Sequence, residues 1–292
     1  MIGFLQKAVF YNTKEIMSKK WIYKTNVIIT GASSGIGKEL VKTFITKFNC
    51  KVLGVSRNEE RAKKFADELN SPAYSYYCFD VGVESNWVDF ANHLKDADFA
   101  PDIIINNAGV LPTFRSFSNT DLDTVKETFQ IDFWSAIYSV KYLDGLLNKS
   151  KKPAIINVSS SSALASLVGT TSYTSAKTAL RAFTECYSEE QRGKRYVAVV
   201  CPGFTKTDIF KSQKQSIEDG IVGKISTPVT KMTKKIVRGI QKKKKRMVLG
   251  KDARIMNFLY KICPKKSTSL FAYVMKKSGL ELFKEIFNEN DL

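Results

Sequence analysis

The segment that most limits what this chain can become is residues 26–48, NVIITGASSGIGKELVKTFITKF. Its first five residues are largely apolar and β-branched, the mark of a strand buried on both faces of a parallel sheet. Residues 38–48 then place Leu40, Val41, Phe44, Ile45 and Phe48 on one side of a helix. Between the two lie Gly31, Gly35 and Gly37. A strand that turns through glycines into a helix presents free N–H groups and the positive end of the helix dipole at the strand's carboxyl edge. That arrangement suits the pyrophosphate of a dinucleotide. The spacing is Gly-x3-Gly-x-Gly rather than the commoner G-x-G-x-x-G. The expected cradle is Gly31, Ser33, Ser34, Gly35, Ile36 and Gly37.

The pattern repeats downstream. Further strands are expected at 51–56, 74–79, 102–106, 154–159, 196–201 and 246–249, with helices near 58–69, 84–94, 121–147, 172–192 and 230–241. Strands alternating with helices predict right-handed βαβ units and an α/β fold whose mostly parallel sheet is covered on both faces. No Pro-, Gly- or Ser-rich linker divides the chain. One dinucleotide-binding and catalytic domain is expected over 25–250, after an N-terminal extension at 1–24 and before a basic, amphipathic helical extension at 251–292.

The chain has 292 residues, enough for one large core, and is 43% hydrophobic and 25% charged, the balance of a soluble globular protein. Five scattered cysteines without a C-x-x-C read as buried residues or free thiols of a reducing compartment, so a cytoplasmic location is expected. The single histidine, His93, argues against a histidine-based triad or a His-rich metal site. No apolar run reaches the roughly 18 residues of a spanning helix, and the opening residues do not read as a signal peptide.

Tyr173 and Lys177 are four residues apart, so on a helix they share one face. An ammonium beside a phenol favours the phenolate, which makes Tyr173 a candidate general acid/base. Ser160 stands thirteen residues upstream, within the serine run 159–162 that closes the fifth expected strand. Its hydroxyl can donate to a carbonyl oxygen on which charge develops. A tyrosine and a lysine four apart are usually only a solvated pair, and it is the company they keep that gives them weight.

That company is ordered. Thr30-Gly-x-x-x-Gly-x-Gly37, Asn106-Asn-Ala-Gly109, Ser160, Tyr173-x-x-x-Lys177 and Pro202-Gly203 fall in the sequence and rough spacing of the short-chain dehydrogenases/reductases, which the chain resembles over about residues 25–210. The resemblance implies a Rossmann-type doubly wound sheet of seven strands, a nicotinamide cofactor, carbonyl/alcohol oxidoreduction and assembly as a homodimer or homotetramer. It implies that Ser160 polarises the carbonyl, Tyr173 moves the proton, and Lys177 lowers the tyrosine pKa and holds the nicotinamide ribose. Asp80 and Val81 match the place that holds the adenine. Asn106, Asn107, Ala108 and Gly109 match the segment lining the adenosine side. Pro202, Gly203, Thr205 and Thr207 match the approach to the nicotinamide amide and phosphates. One position departs from the family pattern: where an asparagine usually completes a water-mediated proton relay, this chain has Asp132. A carboxylate lacks the amide donor and can bring negative charge, which Lys177 could offset.

The second strand ends Val55-Ser56-Arg57-Asn58, with no acid at its tip. An acid there accepts from the adenosine ribose of NAD, whereas an arginine accommodates the 2′-phosphate of NADP. NADP(H) is therefore expected over NAD(H). The substrate pocket is expected from residues 111–117, 163–171 and the loop after Thr207, where Leu111, Phe114, Phe117, Leu164, Leu167, Val168, Phe204, Ile209 and Phe210 make an apolar wall. A small hydrophobic carbonyl compound or alcohol, lipid- or steroid-like, is the expected substrate.

The formal charge is +18, and 21 Lys/Arg against 8 Asp/Glu lie in residues 206–292. No nucleic-acid recognition motif accompanies this charge. Residues 253–275 interleave apolar and basic residues, interrupted by Pro264. Two readings stand: a lid packed over the substrate mouth, or peripheral contact with an anionic membrane surface. Two competing functions also stand beside the oxidoreductase: a cofactor-sensing scaffold with little turnover, and a peripheral membrane-surface binder.

Overall fold

The computed structural model of the chain describes residues 21–207, 209, 223 and 226–287. Seven strands, β1 (Asn26–Thr30), β2 (Lys51–Ser56), β3 (Tyr74–Cys78), β4 (Ile103–Asn106), β5 (Ala154–Val158), β6 (Tyr196–Pro202) and β7 (Arg246–Leu249), form one sheet in the order β3-β2-β1-β4-β5-β6-β7. Every pairing in it is parallel. The order reverses between β1 and β4, where Val27 aligns with Val52 on one side and Ile103 on the other. Such a switch point opens a crevice at the carboxyl ends of the strands.

The strands form because their β-branched side chains fill both faces of the sheet. Alternate residues point to opposite sides: Val27 and Ile29 of β1 join one core, and Ile28 joins the other. The first core is covered by α1 (Gly35–Phe48) and α7 (Val229–Gln241), through Leu40, Val41 and Phe44 and through Met232, Ile236 and Ile240. The second is covered by α3 (Glu84–Asp96) and α5 (Ser135–Leu147), through Trp87, Phe90 and Leu94 and through Val140, Leu143 and Leu147. Helix α2 (Glu59–Leu69) starts at Asn58, whose side chain accepts from the Arg61 amide at 2.7 Å.

The expected helix over 121–147 is interrupted. It begins as α4 (Leu122–Phe129), widens into a π turn at Gln130–Trp134 and resumes as α5. Such π turns are often found at functional sites. This one leaves the neighbours Ile131 and Asp132 both buried. Helix α6 (Thr171–Glu190) follows β5 and a short 3-10 turn at Ser161–Ala163.

Beyond β7 the chain continues as α8 (Lys251–Ile262) and α9 (Pro264–Lys277), with Pro264 opening the second helix where the sequence places a break. A last segment over 280–287 folds back onto Leu111 and Phe114. Of the N-terminal extension, residues 1–20 lie outside the described residues. The four that follow are anchored: Ile22 is fully buried, and the Trp21 indole donates to the Gln241 carbonyl at 3.1 Å.

Candidate active site

Three strand ends build the floor of the crevice. After β1, the chain turns through Gly31 and Gly35, both in the left-handed region at φ 66° and 50°, where a side chain would be strained. A methyl on Gly37 would overlap the Gly31 carbonyl and the Asn107 amide. The cradle is thus closed by backbone on backbone. Ser34 caps α1 without a side-chain hydrogen bond to the helix.

After β4, Asn107 fastens the turn. Its backbone N–H donates to Thr30 Oγ1 at 2.9 Å, its side-chain amide donates to the Thr30 carbonyl at 2.9 Å, and the Ala108 N–H reaches the same hydroxyl at 3.0 Å. Asn106 is structural by its contacts. It donates to Asn157 Oδ1 at 2.8 Å, and Asn157 in turn donates to the Thr184 hydroxyl.

After β5 comes the serine run. The Ser159 hydroxyl donates to the Lys177 carbonyl at 2.8 Å, pinning α6 to the strand. Ser160 lines the cavity with Tyr173, and its oxygen accepts from the Ser162 N–H at 3.2 Å. Of the serine run, Ser160 is the one whose hydroxyl draws the Tyr173 phenol pKa down.

Lys177 is buried behind them. Its ammonium lies 3.1 Å from Asp132 Oδ1 and donates to the Val158 carbonyl at 3.3 Å. The same carboxylate oxygen accepts from the Val110 N–H at 3.1 Å, while Asp132 Oδ2 is buried without a hydrogen-bond partner among the described residues. Gly109 makes room for the pair, since a methyl there would press on both Asp132 and Lys177. Burial pushes the Asp132 carboxyl up to about 6, against the opposing pull of Lys177. The Tyr173 phenol is also pushed well above the usual tyrosine range, first by burial and then by the negative Asp132, while the Ser160 hydroxyl bond draws it back. Lys177 Nζ sits 5.8 Å from the tyrosine ring centre and 3.1 Å from Asp132 Oδ1.

A single cavity of about 440 Å³ joins these parts. Its polar end holds Gly31, Ser34, Gly35, Ile36, Arg57 and Asn107; its other end holds Ser160, Tyr173 and Lys177 with Leu111, Phe114, Leu167, Phe204 and Ile209. Ala108, Gly109, Pro202, Gly203, Thr205 and Thr207 complete the wall between them. Several expected contacts sit elsewhere. Gly37 lies beneath the turn, Ser33 is off the wall, and the Val81 side chain belongs to the second core. Asp80 stands at the rim, 3.7 Å from Arg57, and Glu127 lies 3.6 Å from the same guanidinium. Phe210 lies outside the described residues.

Two residues join the site without having been expected. Arg61, in the first turn of α2, lines the polar end beside Arg57. It stands four residues past Arg57, a spacing that could have drawn attention to it. Asp252, in the first turn of α8, accepts from the Phe204 N–H at 2.6 Å and ties the loop after β6 to the C-terminal extension. Nothing local in the sequence announces that long-range contact.

The residues fit a nicotinamide dinucleotide: a backbone cradle at a helix N-terminus, a basic rim and a hydroxyl pair at the far end of one continuous cavity. A doubly wound sheet with this site at its switch point defines a dinucleotide-dependent oxidoreductase class. Residues 25–218 match the short chain dehydrogenase family, and the chain belongs to it, as an NAD(P)-dependent oxidoreductase. Benzil reductase ((S)-benzoin forming) of Saccharomyces cerevisiae is 29% identical over 65% of this chain and 75% of its own length. An 11-beta-hydroxysteroid dehydrogenase-like protein of Arabidopsis thaliana is 27% identical over 85% of this chain and 80% of its own. Among solved structures, a short chain dehydrogenase of Burkholderia cenocepacia in complex with NADP superposes with a TM-score of 0.73 at 18% identity, covering 86% of this chain and 98% of that one. One of Burkholderia phymatum in complex with NAD gives 0.70 at 17% identity, covering 77% and 89%.

Proposed function

We propose that this protein is an NADP(H)-dependent reductase that interconverts a hydrophobic ketone or aldehyde with its alcohol. The observation that carries the reading is the Ser160–Tyr173 hydroxyl pair at the apolar end of the cavity, with the glycine cradle at the other. Bound there, the nicotinamide supplies the hydride in reduction and accepts it in oxidation. Ser160 holds the carbonyl oxygen and stabilises charge growing on it. Tyr173 gives that oxygen its proton in reduction and takes the proton back in oxidation. Lys177 and Asp132, sealed behind the tyrosine, set the field in which that proton moves.

The cofactor preference rests on Arg57 and Arg61, two guanidinium groups at the polar end of the cavity. A guanidinium binds phosphate in a forked, charge-assisted geometry. The carboxylates of Asp80 and Glu127 hold Arg57 only loosely, leaving it for a 2′-phosphate. The substrate class rests on the wall of Leu111, Phe114, Leu167, Phe204 and Ile209. The steroid dehydrogenase-like and benzil reductase relatives, whose names point to bulky apolar substrates, agree with that wall.

The test is oxidation of NADPH over a panel of aromatic, steroid, fatty and small polar ketones, with the product identified. Turnover is expected with the bulky apolar members. Turnover confined to small polar ketones, or with none of the panel, overturns the reading.

A further inference from the structure

Half of the large hydrophobic side chains that the described residues leave exposed lie within one stretch of twenty, 255–274. On α8 they are Ile255, Phe258 and Ile262, at 58%, 62% and 61% exposure, spaced as one helical stripe. The stripe is opposite Ala253 and Met256, the buried face of that helix. On α9, which packs against α8, they are Leu270, Tyr273 and Val274. Scattered exposed apolar residues are ordinary, whereas a contiguous set has a use.

The charge around this set is one-sided. Residues 251–277 contain seven Lys/Arg and a single acid, Asp252. All seven cations are exposed. The acid faces inward, bound to the Phe204 N–H. The basic run at 242–246 lies elsewhere, directly after α7. There Lys245 pairs with Glu189, Arg246 with Glu185, and Lys243 stacks on the Trp21 ring.

We propose that the outer face of α8 and α9 is a docking surface for an anionic phospholipid bilayer. Apolar side chains ringed by cations match the acyl boundary and the charged headgroups respectively. A second copy of this chain fits poorly, because a two-fold contact would set seven cations against seven. Single- or double-stranded RNA answers the charge but gives Ile255, Ile262, Leu270 and Val274 no role.

Docking in this way also orients the enzyme. Met275, on the inner side of α9, packs with Leu111, Phe114 and Phe283 at the substrate end of the cavity. Resting on the reading of the site as a reductase of apolar carbonyls, this sets the substrate end of the cavity beside the helices that would meet a membrane-dissolved substrate.

The experiment is co-sedimentation of the full chain with phosphatidylcholine vesicles, with and without phosphatidylserine, at low and high ionic strength. It reads binding alone, so it stands whether or not a substrate is found. Binding is expected only with phosphatidylserine, weakened by salt. Lys265→Gln and Lys266→Gln should each weaken it by about fivefold. Phe258→Ser with Ile262→Ser should abolish it while NADPH binding, followed by fluorescence, is unchanged. Three results overturn the proposal. One is no binding to anionic vesicles. Another is a dimer in sedimentation velocity that the Phe258→Ser, Ile262→Ser pair dissociates while vesicle binding persists. The last is displacement by RNA with a binding that ignores the apolar substitutions.

Discussion

The Lys177 ammonium lies 3.1 Å from Asp132 Oδ1, and both side chains are sealed from solvent. The lysine's charge is thereby offset by a neighbour that also acts on Tyr173. Asp132 pushes the phenol pKa upward, in the direction opposite to the one a free ammonium favours. Asp132→Asn removes the opposing charge and leaves the lysine to act alone. The phenol pKa should fall. In alcohol oxidation, which needs the phenolate, the rising limb of the pH–kcat profile should move to lower pH; in carbonyl reduction the falling limb should move the same way. Steady-state rates across pH in both directions check this. A limb that stays in place would show that Asp132 does not set the tyrosine.

The same carboxyl should mark the stability curve. Its value is about 6 in the folded chain against 3.8 for an unperturbed aspartate. The native state therefore holds the proton more tightly than the unfolded one. This contribution is complete below the lower value and is lost as pH rises through the upper one. Denaturant unfolding of the native chain should show stability falling across that window. In Asp132→Asn that part of the slope should vanish, which a pH series of unfolding midpoints will reveal.

The two arginines at the polar end invite separate substitution. A charge-assisted hydrogen bond is worth about 1.5–3 kcal/mol, or roughly 10- to 100-fold in affinity. Arg57→Ala should weaken NADPH binding by about that factor and leave NADH nearly untouched, and Arg61→Ala should act in the same direction. Fluorescence titration with both cofactors separates the effects. Equal loss for NADPH and NADH would assign the arginines a structural part instead.

Much of this was legible in the sequence, and for identifiable reasons. The seven strands announce themselves because runs such as NVIIT and YVAVVCP are buried on both faces and carry few polar residues. The glycine cradle is legible because Gly31 and Gly35 occupy left-handed backbone that other residues resist. Thr30, Asn107 and Ser160 could be placed by order along the chain. The π turn at Gln130–Trp134 could not, since one extra residue in a helical turn leaves no trace in a 3.6-residue period. Yet that turn is where the buried Asp132 sits. Nor could the sequence show that Asp252 reaches Phe204, or that Glu285 lies 3.5 Å from Arg115, because such contacts depend on how the C-terminal extension folds back.

The cradle itself can be tested through Gly37. This glycine lies in open helical backbone, so the obstacle to a side chain there is space alone: its methyl would meet the Gly31 carbonyl and the Asn107 amide. Overpacking of this sort costs about 1–3 kcal/mol, and here it also pushes the turn outward. Gly37→Ala should lower the thermal midpoint and weaken both NADPH and NADH, unlike the arginine variants. A variant that binds both cofactors normally would mean that the turn yields without cost.

The fold-back of the last segment makes the final prediction. Phe283 is 5% exposed and meets the Phe114 ring edge-on at 5.4 Å, at the substrate end of the cavity. Ile286 sits over Gly169, which is itself in left-handed backbone, and the Ser116 N–H donates to the Glu285 carbonyl at 3.3 Å. This segment packs in a cluster apart from the two sheet cores, so loosening it should open it locally rather than unfold the domain. Phe283→Ala removes its central contact. The variant should bind NADPH as before, show faster proteolysis after residue 277, and have a raised KM for bulky apolar ketones with a smaller change in kcat. Cofactor titration, timed proteolysis and kinetics on one large and one small ketone check the three parts together. A loss of NADPH binding would place Phe283 in the support of the cofactor site, and an unchanged KM for the large ketone would remove the lid from substrate selection.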